Sequence, residues 1–167
     1  NKIELFVLGS EGQISEALTY FEGVEFNLMC MPSAQTSDVT AIKAFIKKMN
    51  DVVKYKCDAI LANDKADSEA IINYTAKNIV VGGKSVTTAN HTARIAGLIE
   101  GTPLHQSVTF ATLSDVDSIE NLTKEQADSR IDAGELILVR EMGKVRVARG
   151  VNSLTTLTDI KGNAFQK

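Results

Sequence analysis

The sequence predicts an α/β fold, layered as in α+β proteins: a mixed β-sheet flanked by helices, followed by a C-terminal β-hairpin. Three observations carry that expectation. Short apolar runs that read as strands alternate with segments of helical periodicity. Residues 37–53 repeat their apolar side chains at the three-and-four spacing of a helix half sunk in a core. Near the C-terminal end, two apolar-and-basic runs flank Met142-Gly143, the pattern of a hairpin around a tight turn.

In chain order, Ile3-Glu4-Leu5-Phe6-Val7-Leu8 reads as a strand stopped by the turn Gly9-Ser10-Glu11-Gly12. Residues 14–20 suit a short helix, and residues 25–31 a second strand that Pro32 ends. Ser37 is the expected N-cap of the next helix, whose apolar face is Val39, Ile42, Phe45, Ile46, Met49, Val52 and Val53. Residues 57–62 form a buried strand, Ser68 caps a short helix through Ala76, and Ile79-Val80-Val81 is a strand before Gly82-Gly83. Strands separated by helices favour a largely parallel sheet. Residues 88–99 are the next helix, stopped by Gly101-Thr102-Pro103. Thr123 and Gln126 have the spacing of a capping box, with Gly134 placed just past the helix end. Residues 136–140 and 145–149 make the hairpin, and residues 150–158, rich in small polar side chains, an extended loop.

Composition narrows the function. With 44% hydrophobic and 23% charged residues, a disordered or collagen-like chain is excluded. No apolar run approaches the roughly 20 residues that cross a bilayer, and no signal-peptide pattern opens the sequence, so a soluble cytoplasmic product is expected. A net charge of −3 and 5% aromatics without tryptophan argue against a nucleic-acid binder. The charge is unevenly spread: residues 1–139 carry −7 and residues 140–167 carry +4.

Most motifs with chemical potential have a plainer reading. Gly82-Gly83-Lys84-Ser85 imitates a phosphate-binding loop, but the first glycine of that pattern falls on Asn78 and the loop positions are Ile79-Val80-Val81, which suit a strand. It reads as a strand-to-helix turn. Asp58, Asp64, Asp67 and Glu69 cluster as a divalent-cation site would, yet Asp67-Ser68-Glu69 also suits a helix start. His91 and His105 have no metal-ligand spacing, and Cys30 and Cys57 read as small hydrophobes. No nucleophile has a base beside it in the sequence, so no catalytic residue, cofactor or metal is expected. The basic stretch Arg140, Lys144, Arg146, Arg149 and Lys161, interleaved with Val145 and Val147, reads either as a solvated strand face or as a surface for an acidic protein partner.

The segments Gly134-Glu135-Leu136-Ile137-Leu138-Val139, Lys144-Val145-Arg146-Val147-Ala148-Arg149-Gly150-Val151-Asn152-Ser153-Leu154-Thr155-Thr156-Leu157-Thr158 and Lys161-Gly162 resemble the C-terminal region of contractile phage tail sheath proteins of the Gram-positive prophage type. Upstream, Ala66-Asp67-Ser68-Glu69-Ala70-Ile71-Ile72-Asn73 and Ala93-Arg94-Ile95-Ala96-Gly97-Leu98-Ile99 before Ser107-Val108-Thr109-Phe110 are similar to the sheath order, so the resemblance runs from about residue 17 to 167. It implies a structural, non-enzymatic subunit that polymerises around an inner tail tube and contracts. The implied partners are other sheath subunits, the tube, the baseplate and the tail terminator, in a virion tail assembled in the host cytoplasm, with neither nucleic acid nor membrane. Residues 1–112 would be the α/β core region and 113–167 the start of the C-terminal region, packed as one unit. The family's terminal arms and preceding domains have no counterpart in the sequence, so the resemblance makes it a core fragment, monomeric in isolation. By analogy, Lys144, Arg146 and Arg149 meet acidic groups of tube or neighbouring sheath. The competing reading is an α/β nucleotide-binding or enzyme domain, and a phage-tail-like bacteriocin or other injector is a second owner for the same subunit.

Overall fold

The computed structural model describes residues 3–8, 14–158 and 164–166. In chain order, α1 (Ile14–Glu22) precedes β1 (Leu28–Cys30), and α2 (Thr36–Lys48) runs into a π-helical turn at Met49–Val53 before β2 (Asp58–Ala62) and β3 (Ile71–Tyr74). β4 (Ile79–Val81) and β5 (Lys84–Val86) lead into α3 (Thr88–Gly101). Then follow β6 (Val116–Ser118), α4 (Lys124–Asp132), β7 (Glu135–Leu136), β8 (Leu138–Glu141), β9 (Lys144–Val147), β10 (Thr156–Thr158) and β11 (Ala164–Gln166).

The centre is a four-stranded, all-parallel sheet in the order β1-β2-β3-β7. Alternation along β2 divides the core between its two faces. Ala59 and Leu61, with Ile71 of β3, pack against Ile42, Phe45 and Ile46 of α2. Ile60 and Tyr74 point the other way, onto Ile95 and Ala96 of α3. That second cluster continues through Ile79, Leu113, Val116, Leu138, Val145 and Val147, so the antiparallel sheet β5-β4-β6 and the hairpin β8-β9 share one core with the parallel sheet. Each fully buried Ile or Leu contributes about 1.5–3 kcal/mol by leaving water, and removing one costs more because neighbours only partly collapse.

Local chemistry explains the helix ends. Thr123 accepts from the Gln126 amide at 3.2 Å while Gln126 Oε1 accepts from the Thr123 amide at 3.0 Å, the capping box expected there. Gly134, at φ +71°, takes the left-handed position beyond α4. Gln35, not Ser37, caps α2, and the Asp38 carboxylate accepts from the Gln35 amide at 2.9 Å.

Four further expectations are corrected. Residues 3–8 form no strand and pair with none among the described residues; Ile3, Leu5 and Val7 are 90%, 79% and 77% exposed, the Phe6 ring lies tilted 5.3 Å from that of Tyr20, and the Tyr20 hydroxyl donates to Glu4 at 3.4 Å. An apolar run forms a ladder only when a sheet edge is within reach. Residues 68–76 are not a helix, because Ile71-Ile72-Asn73-Tyr74, β-branched and aromatic, inserts between β2 and β7 as β3. The stripe of α2 ends at Met49: the wider π turn rotates the register, Lys54 stops it at φ +63°, and Val52 stays 73% exposed. Gly82-Gly83 joins two strands, not a strand and a helix, at φ +56° and +73° in the β4-β5 hairpin. The expected turn at Gly9-Ser10-Glu11-Gly12 and the basic Lys161 lie outside the described residues.

Candidate functional site

The basic hairpin is built by register. In the β8-β9 ladder Leu138 faces Val147 and Arg140 faces Val145, while Val139 faces Arg146 and Glu141 faces Lys144. Val145 and Val147 are buried, so Lys144 and Arg146 share the outer face with Val139 and Glu141. Met142 and Gly143, at φ +49° and +76°, make the turn. The structure thus brings Lys144 and Arg146 together but gives them an acidic neighbour: Arg146 Nη1 lies 3.5 Å from Glu141 Oε2. The Arg146 Nε is buried without a hydrogen-bond partner among the described residues. Arg140 stands on the opposite side of the ladder and donates from Nη2 to the Asp117 carbonyl at 2.6 Å. Arg149 is exposed just past β9.

Two polar nodes lie beyond what sequence reasoning found. Arg130 of α4 donates to Glu120 Oε1 and Glu135 Oε2, both at 2.8 Å, and to the Thr75 carbonyl and hydroxyl at 2.7 and 2.6 Å. Burial alone would raise the Glu135 pKa, but the bonds from Arg130 and Thr75 outweigh it and hold the carboxyl below its ordinary range. Asp67, at φ +48°, accepts from the Thr155 and Thr156 amides at 2.7 and 2.9 Å and from the Thr155 hydroxyl at 3.1 Å. These bonds, the Thr155 amide first, hold its pKa at about 2. Ser153 adds an amide bond to the Ile71 carbonyl at 2.8 Å and Asn152 a side-chain bond to the Glu69 carbonyl at 3.1 Å. The small polar run after the hairpin is therefore a strap fastened to the loop before β3. Its composition was the sequence signal, without any hint of its partner.

The chemical alternatives find little support in the geometry. The Gly83 amide donates to Asp117 Oδ2 at 2.8 Å, and Lys84 and Ser85 sit in β5, so no helix N-terminus faces this turn as a phosphate loop requires. Among the described residues no three His, Cys, Asp or Glu side chains are grouped to hold a metal, and Asp67 is committed to its strap. Buried His91 shares a 2.7 Å hydrogen bond between its Nδ1 and the Tyr74 hydroxyl; burial pushes the imidazole pKa down, and Arg94 adds to this. Burial pushes the Cys57 thiol up to about 11, with Asp58 adding to it, which leaves it unreactive at neutral pH. No described helix is long and apolar enough to cross a membrane.

Residues 10–153 match the model of the phage tail sheath protein central domain. The chain belongs to the phage tail sheath family. It is 47% identical to the tail sheath protein of Clostridium phage phiCD119 along its whole length, and 31% identical over 92% of its length to protein XkdK of the phage-like element PBSX of Bacillus subtilis. Among solved structures it superposes with a TM-score of 0.81 on the sheath tail protein of Desulfitobacterium hafniense, at 26% identity over 89% of the chain and 36% of that protein. The contracted helical sheath of the anti-feeding prophage shares the fold at a TM-score of 0.63 and 16% identity, over 86% of the chain and 44% of that protein. The chain spans 47% of the length of the Clostridium phage sheath protein and 34% of the Bacillus one. Tail sheath proteins are structural proteins, and membership sets aside the enzyme alternative.

Proposed function

We propose that this chain is the central domain of a sheath subunit that stacks into a helical tube around an inner tail tube and contracts to drive that tube through a cell envelope. The observation that carries the proposal is the family match over residues 10–153, joined to a fold shared with sheath proteins. In this reading the subunit's partners are neighbouring sheath subunits, the inner tube, the baseplate and the tail terminator. Its place is the virion tail, after assembly in the host cytoplasm.

The packing suits such a role. A subunit that is moved between two lattices must transmit force without deforming, and a sheet packed on both faces resists deformation. The Arg130 node and the Asp67 strap add long-range ties between segments far apart in sequence. Contraction would draw on re-formed contacts between subunits, for which no nucleotide site is needed.

Lys144, Arg146 and Arg149 are proposed to face acidic groups of the tube or of a neighbouring subunit, where charge sets orientation and register more than affinity. The test is the triple reversal K144E/R146E/R149E in a full-length sheath protein carrying this sequence, examined by negative-stain electron microscopy. Loss of tubes or of tube-filled sheaths, with the circular dichroism spectrum unchanged, is the expected result. Normal filled sheaths would refute the assignment.

A further inference from the structure

A cavity of about 310 Å³ opens on the α2-side face of the sheet, beside β3 and β7, and its walls include Lys65, Lys77, Thr75, Arg130 and Glu135. Its floor is Asn73, which is 0% exposed, and neither Nδ2 nor Oδ1 of that side chain makes a hydrogen bond among the described residues. A buried primary amide has two N–H donors and a carbonyl oxygen, and one that uses none of them is disfavoured unless something else completes it. No wall residue does so in this arrangement, Asn63 on the same wall included. Glu135 Oε2 already accepts from Arg130 and Thr75, and its Oε1 lies 3.6 Å from Lys65 Nζ. Arg130 is spent on Glu120, Glu135 and Thr75. Lys77 is exposed, and its ammonium has no ion-pair or hydrogen-bond partner among the described residues.

The free valences therefore define a complementary group: an acceptor for Asn73 Nδ2, a donor for Asn73 Oδ1, and negative charge for Lys77 beside Lys65. An acidic residue in a peptide supplies all three, because its carboxylate accepts from amide and ammonium while its own main-chain N–H donates. We propose that this cavity is a receptor for an aspartate or glutamate presented by another protein chain, with Asn73 reading the peptide and carboxylate and Lys77 the charge. The site is separate from the β8-β9 hairpin and does not depend on the sheath reading. Both polar atoms of Asn73 are closed to solvent in the free chain, so binding requires the rim to open, with Lys65 drawn off Glu135 toward the incoming carboxylate and Glu135 held by Arg130 and Thr75 alone.

The experiment follows the Asn73 side-chain amide and the Lys77 backbone amide of the 15N-labelled chain by NMR. The probes are N-acetyl-aspartate N-methylamide, its asparagine analogue, sodium acetate, inorganic phosphate and sodium chloride, at constant ionic strength. Saturable shifts of both amides with the aspartate compound, at least about fivefold weaker with the asparagine compound and with acetate, support the proposal. Lys77→Gln, on the exposed rim, should weaken binding by at least about fivefold, and Asn73→Ala should abolish saturation; should the latter fail to fold, Lys77→Gln still decides. Equal shifts with sodium chloride would show ionic screening only and overturn the proposal. Equal binding of acetate or phosphate would make the cavity a free-anion site and overturn the peptide assignment.

Discussion

Asp67 keeps its backbone in the left-handed region and spends its carboxylate on the Thr155 and Thr156 amides, so one side chain fixes a segment nearly ninety positions away. Its folded pKa, about 2, lies below the ordinary 3.8. The stability it gives is therefore complete above the ordinary value and is lost as pH falls through the folded one. Asp67→Asn keeps the tolerance for positive φ but removes the charge, and hydrogen exchange at the Thr155 and Thr156 amides should speed up while the amides of β2 keep their protection. Unchanged exchange would mean that the strap is held by Ser153 and Asn152 without Asp67. His91 gives the second prediction at this scale. Its pKa is depressed by burial and by Arg94, with Asp115 opposing, so the folded state binds its proton less readily than the unfolded chain. Stability should be level above about pH 6.5 and fall below it. Urea midpoints between pH 8 and 5 should show that slope reduced in His91→Asn. Neither residue's partner is legible in the sequence, where Asp67 suits a helix start and His91 has no metal-ligand spacing, because both contacts join segments that only the tertiary fold brings together.

Elements whose signals are local were read from the sequence nearly as they stand. The capping box of α4 is one, and it matters because no residue of that helix is fully buried. Thr123→Ala should cost about 1 kcal/mol, seen as a lowered urea midpoint, since the cap has little packing behind it to compensate. Gly134 closes the same helix at φ +71°, where a Cβ would lie 3.0 Å from the Ser153 carbonyl oxygen and 3.1 Å from that of Asn152. Gly134→Ala should therefore cost at least about 1–2 kcal/mol from backbone conformation alone and loosen the strap as well. A neutral Gly134→Ala would contradict the close approach. The hairpin turn at Met142-Gly143 was equally plain. Residues 68–76 are not, since the Asp67 carboxylate and the main chain of Ser68 and Glu69, which imitate a helix start, hold the strap instead, and Ile71-Ile72-Asn73-Tyr74 fills a strand slot that exists only between β2 and β7. Residues 3–8 failed for the converse reason: their apolar alternation is real, but no sheet edge meets it among the described residues. For the candidate site, the alternation of Lys144 and Arg146 with buried valines was readable from spacing. The ion pair with Glu141 and the turning away of Arg140 depend on register.

In the whole molecule, packing on both faces of the parallel sheet makes one body, to which the β5-β4-β6 sheet and the β8-β9 hairpin are fused through shared side chains. Ile60 lies on the α3 side of that sheet, fully buried. Ile60→Ala should cost about 2–5 kcal/mol in a single cooperative transition followed by circular dichroism and tyrosine fluorescence, whereas separate transitions would divide the body in two. Under the proposed function this body is the core of a sheath subunit and is carried unchanged through contraction. Cryo-electron microscopy of a full-length sheath protein carrying this sequence, in extended and contracted tubes, tests it most directly. Helical tubes are expected in which residues 14–158 superpose between the two states while contacts between subunits change. A protein that stays a small globular species under all conditions, or tubes in which the β1-β2-β3-β7 sheet is rebuilt on contraction, would contradict it.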